Sequence, residues 1–319
     1  MAIPIWKDAQ ATYIGGGKSN YTLSVDGNEI FKGRAVTAPG KLAATVKLND
    51  IAKSYLSSRI AYESGTTIYQ QPLYKRTFEV SPTPSSGLKK SVIYNDWSYE
   101  EMEISSNSQS LSKPLSKIVD PRQILFATMA KVGDGEAGEV CIDYCDNNMC
   151  HRPLRAIPTP CVTFAYPLNG VNEGVDVGIY DEEDDICTRY KVKKTNADYC
   201  LYYLNAYGGY DHLLINGNAM RTDSIARSQI TRSVGKQTLS VETQRKWRLY
   251  TDYLTDEQWA LTHHLLGSPH VLLHDFNKDE IIPINITNNV AEFKTYRNQH
   301  NKCSYLTLDV EEENKRNRM

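Results

Sequence analysis

Long apolar runs are missing from this chain, and no window approaches the roughly 18 consecutive apolar residues that a membrane-spanning helix needs. A surplus of charge is missing too: 36 Lys and Arg stand against 38 Asp and Glu, for a formal net charge of -2. No global field draws such a chain onto nucleic acid or an anionic membrane, so shape and local contacts must select its partners. Phenylalanine and tryptophan are scarce, 6 and 4 residues beside 21 tyrosines. Tyrosine buries a ring while its hydroxyl stays wet, which suits strands and interfaces. Neither a GxSxG elbow nor an HExxH helix occurs, and no carboxylate pair stands out among the turn-forming acids. A non-enzymatic protein without cofactor or metal is expected.

The first residues, MAIPIWKDAQ, lack the basic start and apolar run of a secretory signal, so folding in the cytosol is expected. Cysteine numbers 7. Cys187, Cys200 and Cys303 fall in strand-like apolar runs, where a thiol behaves as a small hydrophobe, and reduced thiols are expected rather than a disulfide framework. Cys141, Cys145, Cys150 and His151 crowd together, but their gaps do not match paired zinc knuckles, and free thiols in a strand and a loop are expected. Asp181 to Asp185 lacks the alternating ligands of a calcium loop and reads as a solvated turn. Gly15 to Gly17 lacks the strand-loop-helix context of a phosphate loop. His263 and His264 suit a helix C-terminus. His270 and His274 on one strand would sit roughly 13 Å apart, too far to share an ion.

What is present is strand. Tyr21 to Val25 and Ile30-Phe31 flank the turn Asp26-Gly27. Leu42 to Leu48 forms a further strand, after which Asn49 or Asp50 caps a short helix, Ile51 to Leu56. Strands follow at Pro72 to Val80 and Lys89 to Tyr99, across the loop Ser81 to Gly87. Ile124 to Met129 is another, and a boundary is placed near 125 to 135. With 319 residues, the chain is expected to divide into an N-terminal β domain (1–130), a β-rich linking or inserted region (131–197) and a C-terminal β domain (198–319). In the last of these, Gln237 to Val241 and Lys246 to Tyr253 are strands. Thr255 and Gln258 form a capping box for a helix over 255–267 that Gly267 ends. Strands at Val271 to His274, Glu280 to Ile286, Val290 to Tyr296 and Cys303 to Val310 complete it. The fold class is mostly β: β-sandwich or barrel domains with one well-capped helix packed on the C-terminal sheet.

Residues 198 to 218, DYCLYYLNAYGGYDHLLINGN, organise the rest. Both faces of Tyr199 to Ala206 are apolar, so the strand is covered on both sides. Gly208-Gly209 supplies a two-residue turn and Asn216-Gly217 a second one. Later strands and a neighbouring subunit are expected to cover this hairpin. Tyr203, Tyr207 and Tyr210 are therefore interface candidates. So are Arg221, Arg227 and Arg232, which with Arg245, Lys246 and Arg248 make the dense basic stretch and suit salt bridges to a neighbour better than nucleic acid, since stacking aromatics are not interleaved.

Several segments, namely YTLSVDGNEIFKGRAVTAPG with LNDIAKSYL, VIYNDWSYE, LSKPLSKIVDPRQ, LYYLNAYGGYDHLLING, and YTDYLTDEQWALTHHLLGSPHVLLHD ahead of TYRNQHNKCSYLTLDVEE, spread from residue 21 to residue 312. In these the chain resembles tail-associated proteins of Bacteroidetes phages and prophages. That resemblance implies a virion structural protein of distal tail, baseplate or tail hub type, assembled in the host cytoplasm, and transfers no functional residue. The expected role is a ring-forming homo-oligomer joining the tail tube to baseplate or receptor-binding parts, its partners being itself and other tail proteins. The alternative is a carbohydrate-binding adhesin module of the tail tip, with a host surface glycan as partner. Neither nucleic-acid binding nor membrane insertion is expected.

Overall fold

In the computed structural model of the protein, the described residues are 2–4, 10–14, 18–37, 41, 43–87, 89–94, 109–131, 138–146, 149–158, 160–181, 186–232, 235–288, 304–313 and 316–318. Gly15 to Gly17, Glu182 to Asp185, the strand expected at Val290 to Tyr296, and Cys303 lie outside them. The chain is mostly β, and no helix among the described residues is long and apolar enough to cross a membrane.

The N-terminal part runs β1 (Ala2–Pro4), β2 (Gln10–Ile14), β3 (Lys18–Val25), β4 (Asn28–Val36), β5 (Ala43–Lys47) and the short helix α1 (Asn49–Lys53). After these come β6 (Ile68–Gln70), β7 (Lys75–Ser81), β8 (Ser86–Gly87) and β9 (Lys90–Tyr94). Asp26 and Gly27, at φ 49° and 83°, make the tight turn between β3 and β4 as their sequence requires. A sheet ordered β1-β9-β7-β3-β4 and a sheet ordered β5-β2-β8 share one core around Ala11, Tyr21, Leu23 and Phe78. Neither Asn49 nor Asp50 caps α1: Leu48 holds the cap position and no side-chain bond is made there. Burial of Ala52 holds this single turn of helix instead.

The middle part comprises β10 (Gln109–Ser110), β11 (Ile118–Val119), β12 (Ile124–Ala130), β13 (Val140–Asp146), β14 (Met149–Ala156), β15 (Cys161–Pro167), β16 (Asp176–Tyr180) and β17 (Ile186–Val192). Sheets β10-β12-β15-β6 and β11-β17-β16-β13-β14 bury Leu125, Met129, Ile142, Phe164 and Ile179 in one core, a sandwich. β15 pairs with β12 on one side and with β6 on the other, so the division expected at residue 130 runs through a continuous sheet. Cys145 and Cys150 face each other across the β13–β14 hairpin and are joined by a disulfide. Register, which spacing alone does not reveal, overturns the expectation that both are free thiols.

The C-terminal part contains β18 (Tyr199–Leu204), β19 (Tyr210–Ile215), β20 (Ala219–Arg232), β21 (Gly235–Leu254), α2 (Asp256–Leu266), β22 (Val271–Asp275), β23 (Glu280–Ile286), β24 (Ser304–Glu312) and β25 (Arg316–Arg318). The strand order is β19-β18-β22-β23-β24-β21-β20, with β25 also pairing β21. The sheet curls until β19 lies beside β21, enclosing Leu201, Tyr203, Trp247, Leu273, Ile284 and Leu308. The capping box of α2 is present: the Gln258 N–H donates to Thr255 Oγ1 at 3.2 Å and the Thr255 N–H to Gln258 Oε1 at 3.0 Å. Trp259, Leu261 and Leu265 place the helix on the core of the curled sheet.

Candidate functional site

Hairpin β18–β19 is buried on both faces, as its sequence demands, but by this chain alone. One face belongs to the curled sheet's core, and on the other Cys200, Tyr202, Leu204 and Tyr210 pack with Phe126 and Ala165 of the middle sandwich. Its outer edge is occupied as well. Ser112 Oγ donates to the Tyr210 carbonyl at 2.8 Å, the Tyr210 N–H donates to Thr128 Oγ1 at 3.0 Å, and the Lys113 N–H donates to Asp211 Oδ1 at 2.6 Å. The loop is Asn205–Gly209 rather than a two-residue turn. Asn205 Oδ1 accepts from the Tyr207 and Gly209 N–H groups, and Gly208 alone takes a positive φ, 84°. A Cβ on Gly209 would stand 2.7 Å from the Leu111 carbonyl oxygen, so the glycine permits a close backbone approach.

Two of the tyrosines proposed for an interface are consequently core residues. Tyr203 and Tyr210 have 0% exposure, and Tyr207 is half-buried with its ring 5.3 Å from that of His264. The expectation that neighbouring copies shield this hairpin is corrected: Ser112 and Lys113, each 98 residues before its partner, cover its edge from within the chain.

Arg221, Arg227 and Arg232 are brought together on β20. This 14-residue strand pairs only with β21 among the described residues, and each of its described side chains from Ala219 to Thr231 is exposed. β24 accompanies β21 as far as Lys246, beyond which β25 alone reaches it, at Val241 to Thr243. From Asp223, opposite Arg245, to Arg232, opposite Gly235, the two strands form a ribbon. At about 3.4 Å per residue it extends roughly 30 Å. Ile225 on it, and Met220 just before it, are each 54% exposed.

A charge cluster fastens the ribbon's base. Arg245 is 6% exposed, and its guanidinium bonds Glu312 at 2.9 and 3.0 Å and Glu280 at 2.9 and 3.1 Å, with its carbon 5.6 Å from the Trp247 ring centroid. Hydrogen bonds to Glu312 and then Glu280 raise its pKa, so it stays charged although buried. Arg221 makes paired bonds to Asp223 on its own strand, 2.9 Å each, while Arg227 lies exposed opposite Val241.

A second locus is a cleft of about 570 Å³ between the middle sandwich and the β22–β23 turn, lined among others by Tyr62, Arg122, Gln123, Asn169, Phe276 and Asp279. Arg122 bonds Asp120 through Nε at 2.8 Å and Nη2 at 3.0 Å and lies 4.7 Å over the Phe276 ring. Burial alone would raise the Asp120 carboxyl, but hydrogen bonds from Arg122 and Thr195 hold it at about 2. At the cleft floor the Ile124 N–H donates to the Tyr202 hydroxyl, which meets His274 Nδ1 at 3.0 Å, and His274 Nε2 reaches Asp279 Oδ1 at 3.3 Å. Tyr210 repeats the arrangement, accepting from the Ile60 N–H and meeting His270 Nδ1 at 2.7 Å. Desolvation pushes His270 down to about 4 and lowers His274 too, so both imidazoles are neutral acceptors for tyrosine. His270 and His274 are therefore braces of the hairpin. Sequence reasoning gave no role to Arg122 and Gln123, adjacent in the turn before β12, or to Phe276, which reaches the same cleft from the β22–β23 turn.

Neither a family model nor a curated protein matches the chain. Among solved structures, fibronectin(III)-like modules of Clostridium thermocellum CbhA are similar at 13% identity and TM-score 0.19, with 60% of this chain and 89% of that one covered. A bacterial ice-binding adhesin is similar at 8% identity and TM-score 0.16, over 79% of this chain and 88% of that one. A Salmonella alpha-2-macroglobulin is similar at 5% identity and TM-score 0.21, over 98% of this chain but 27% of that one. Likeness at this level carries no argument about function, which must come from the surfaces just described.

Proposed function

We propose that this protein is a non-enzymatic structural subunit of a bacteriophage tail, a distal-tail or hub adaptor that assembles with further copies of itself through the β20–β21 ribbon. The observation that carries the assembly reading is the outer edge of the 14-residue strand β20, which no described strand takes. A free edge presents unpaired N–H and C=O groups to any strand that reaches it, and a narrow ribbon, here widened only by β25 at Val241 to Thr243, is marginal in water without a covering partner. The exposed Met220, Ile225 and Ile230 supply apolar contacts, and Arg227 supplies charge. A closed ring is built head to tail, so β20 meets a different edge of the next copy. Two terminal strands of other sheets, β4 and β14, offer such edges. The tail assignment itself rests on the resemblance of the segments between residues 21 and 312.

Light scattering on the purified protein, with negative-stain microscopy, tests this reading. Rings or defined oligomers are expected for the wild type. A variant in which residues 224–244 are replaced by an Asn-Gly turn is expected to be monomeric. A wild type that stays monomeric at high concentration, and whose chain is missing from phage particles by mass spectrometry, would overturn it.

A further inference from the structure

Beyond assembly, we infer that the cleft between the middle sandwich and the β22–β23 turn binds a neutral saccharide. Gln123 on its wall is 1% exposed; its Oε1 accepts from the Asp120 N–H at 3.0 Å, while its Nε2 is buried with no hydrogen-bond partner among the described residues. A buried amide donor without an acceptor is the feature a ligand oxygen would satisfy. The walls also include Tyr62, Asn169, Asp279 and Phe276, the last with its ring under Arg122. Apolar rings with a few convergent polar groups are the usual make-up of a small-molecule site, and this volume suits one or two sugar rings.

Charge chooses among ligand classes. Asp279 is almost wholly exposed at the rim, Glu280 is held by Arg245, and the guanidinium of Arg122 is already committed to Asp120. Among the described residues no uncommitted cation lines the cleft to receive a carboxylate or phosphate, so hydroxyl and acetamido groups fit where anions do not. Asp279 sits at φ 51°, a left-handed conformation that Asp and Asn tolerate, in the turn that lines the cleft.

The test is an array of neutral and uronic-acid-containing oligosaccharides probed with the full chain, followed by calorimetric titration of the best binder. Neutral glycans are expected to bind, and the double variant Asn169→Ala, Asp279→Asn is expected to lose at least about tenfold in affinity with an unchanged thermal midpoint. Gln123→Leu, which removes the orphan donor, is expected to lose affinity likewise. Binding confined to acidic glycans, binding unaltered by these variants, or none at about 10 mM neutral ligand overturns the proposal. The double variant keeps the wild-type oligomer mass, so failure here leaves the assembly reading standing.

Discussion

Two hairpins follow each other directly in the chain, β18–β19 and β20–β21, and the outer strand of each meets a different fate. On β19, the backbone and side chains at Tyr210 and Asp211 are engaged by Ser112, Lys113 and Thr128, and both faces are packed. On β20 no described strand or loop takes the outer side, and the side chains stand in solvent. The same backbone geometry thus serves once as a core and once as a reach. The difference is composition: YDHLLI must be buried to be stable, whereas AMRTDSIARSQITR is polar enough to stand in solvent.

Changes in the first hairpin should accordingly cost folding. Tyr203→Ala removes a fully buried ring from the core of the curled sheet and should destabilise the chain by about 3–5 kcal/mol in denaturant titrations. Arg245→Met tests the boundary between the two regions. It would leave Glu312 buried without its counter-charge, and a loss of about 3 kcal/mol is expected together with weaker protection of ribbon amides from hydrogen exchange. If Tyr203→Ala were tolerated and Arg245→Met were neutral, the contrast between a core ribbon and an anchored one would fail.

Acid should separate the two regions next. Burial pushes His212 down to about 4, and His270 to about 4 as well, with His274 lowered for the same reason. A histidine with a depressed folded pKa contributes stability that is present above about 6.5 and lost as pH falls through the folded value. Asp211 opposes them: burial pushes it up to about 7, so its contribution is present below about 3.8 and lost as pH rises through 7. Between pH 6.5 and 4 the histidines outnumber the single acid, and stability should fall toward pH 4. Each uncompensated proton contributes up to about 1.4 kcal/mol per pH unit. Denaturation midpoints at pH 7.5, 6 and 5 check the sign, and a midpoint that rises on acidification would contradict it.

What the sequence revealed divides along physical lines. The α2 capping box was readable because Thr255 and Gln258 lie three residues apart, and the turn at Asp26-Gly27 because two adjacent residues must take positive φ. Double-sided burial of β18 was readable from its apolar faces. What covers it was not, because Phe126, Ala165 and Leu111 to Lys113 come from far earlier in the chain. The sequence of β21 reads as two short strands, since the polar run Glu242 to Arg245 interrupts its apolar pattern. Arg245 turns inward all the same, because Glu280 and Glu312 wait for it there. The arginines of β20 were noticed as charge, but only pairing register shows that they share one projecting strand. The cleft is legible only in three dimensions, because Tyr62, Gln123, Asn169 and Phe276 come from loops that sequence proximity never joins.

The smallest effect on folding should accompany the largest on assembly. Ile225→Lys places a charge on the exposed edge strand at a side chain that is 54% exposed, and exposed substitutions of this kind usually change stability by within about 0.5 kcal/mol. A lysine on an edge is also the common device by which sheets resist unwanted pairing. The variant should therefore unfold at the wild-type denaturant concentration while its scattering mass drops to that of one chain. An unchanged oligomer would mean that copies meet elsewhere, and a large loss of stability would mean that Ile225 is already covered within its own subunit. Either result would erase the distinction between the hairpin that is packed and the hairpin that reaches.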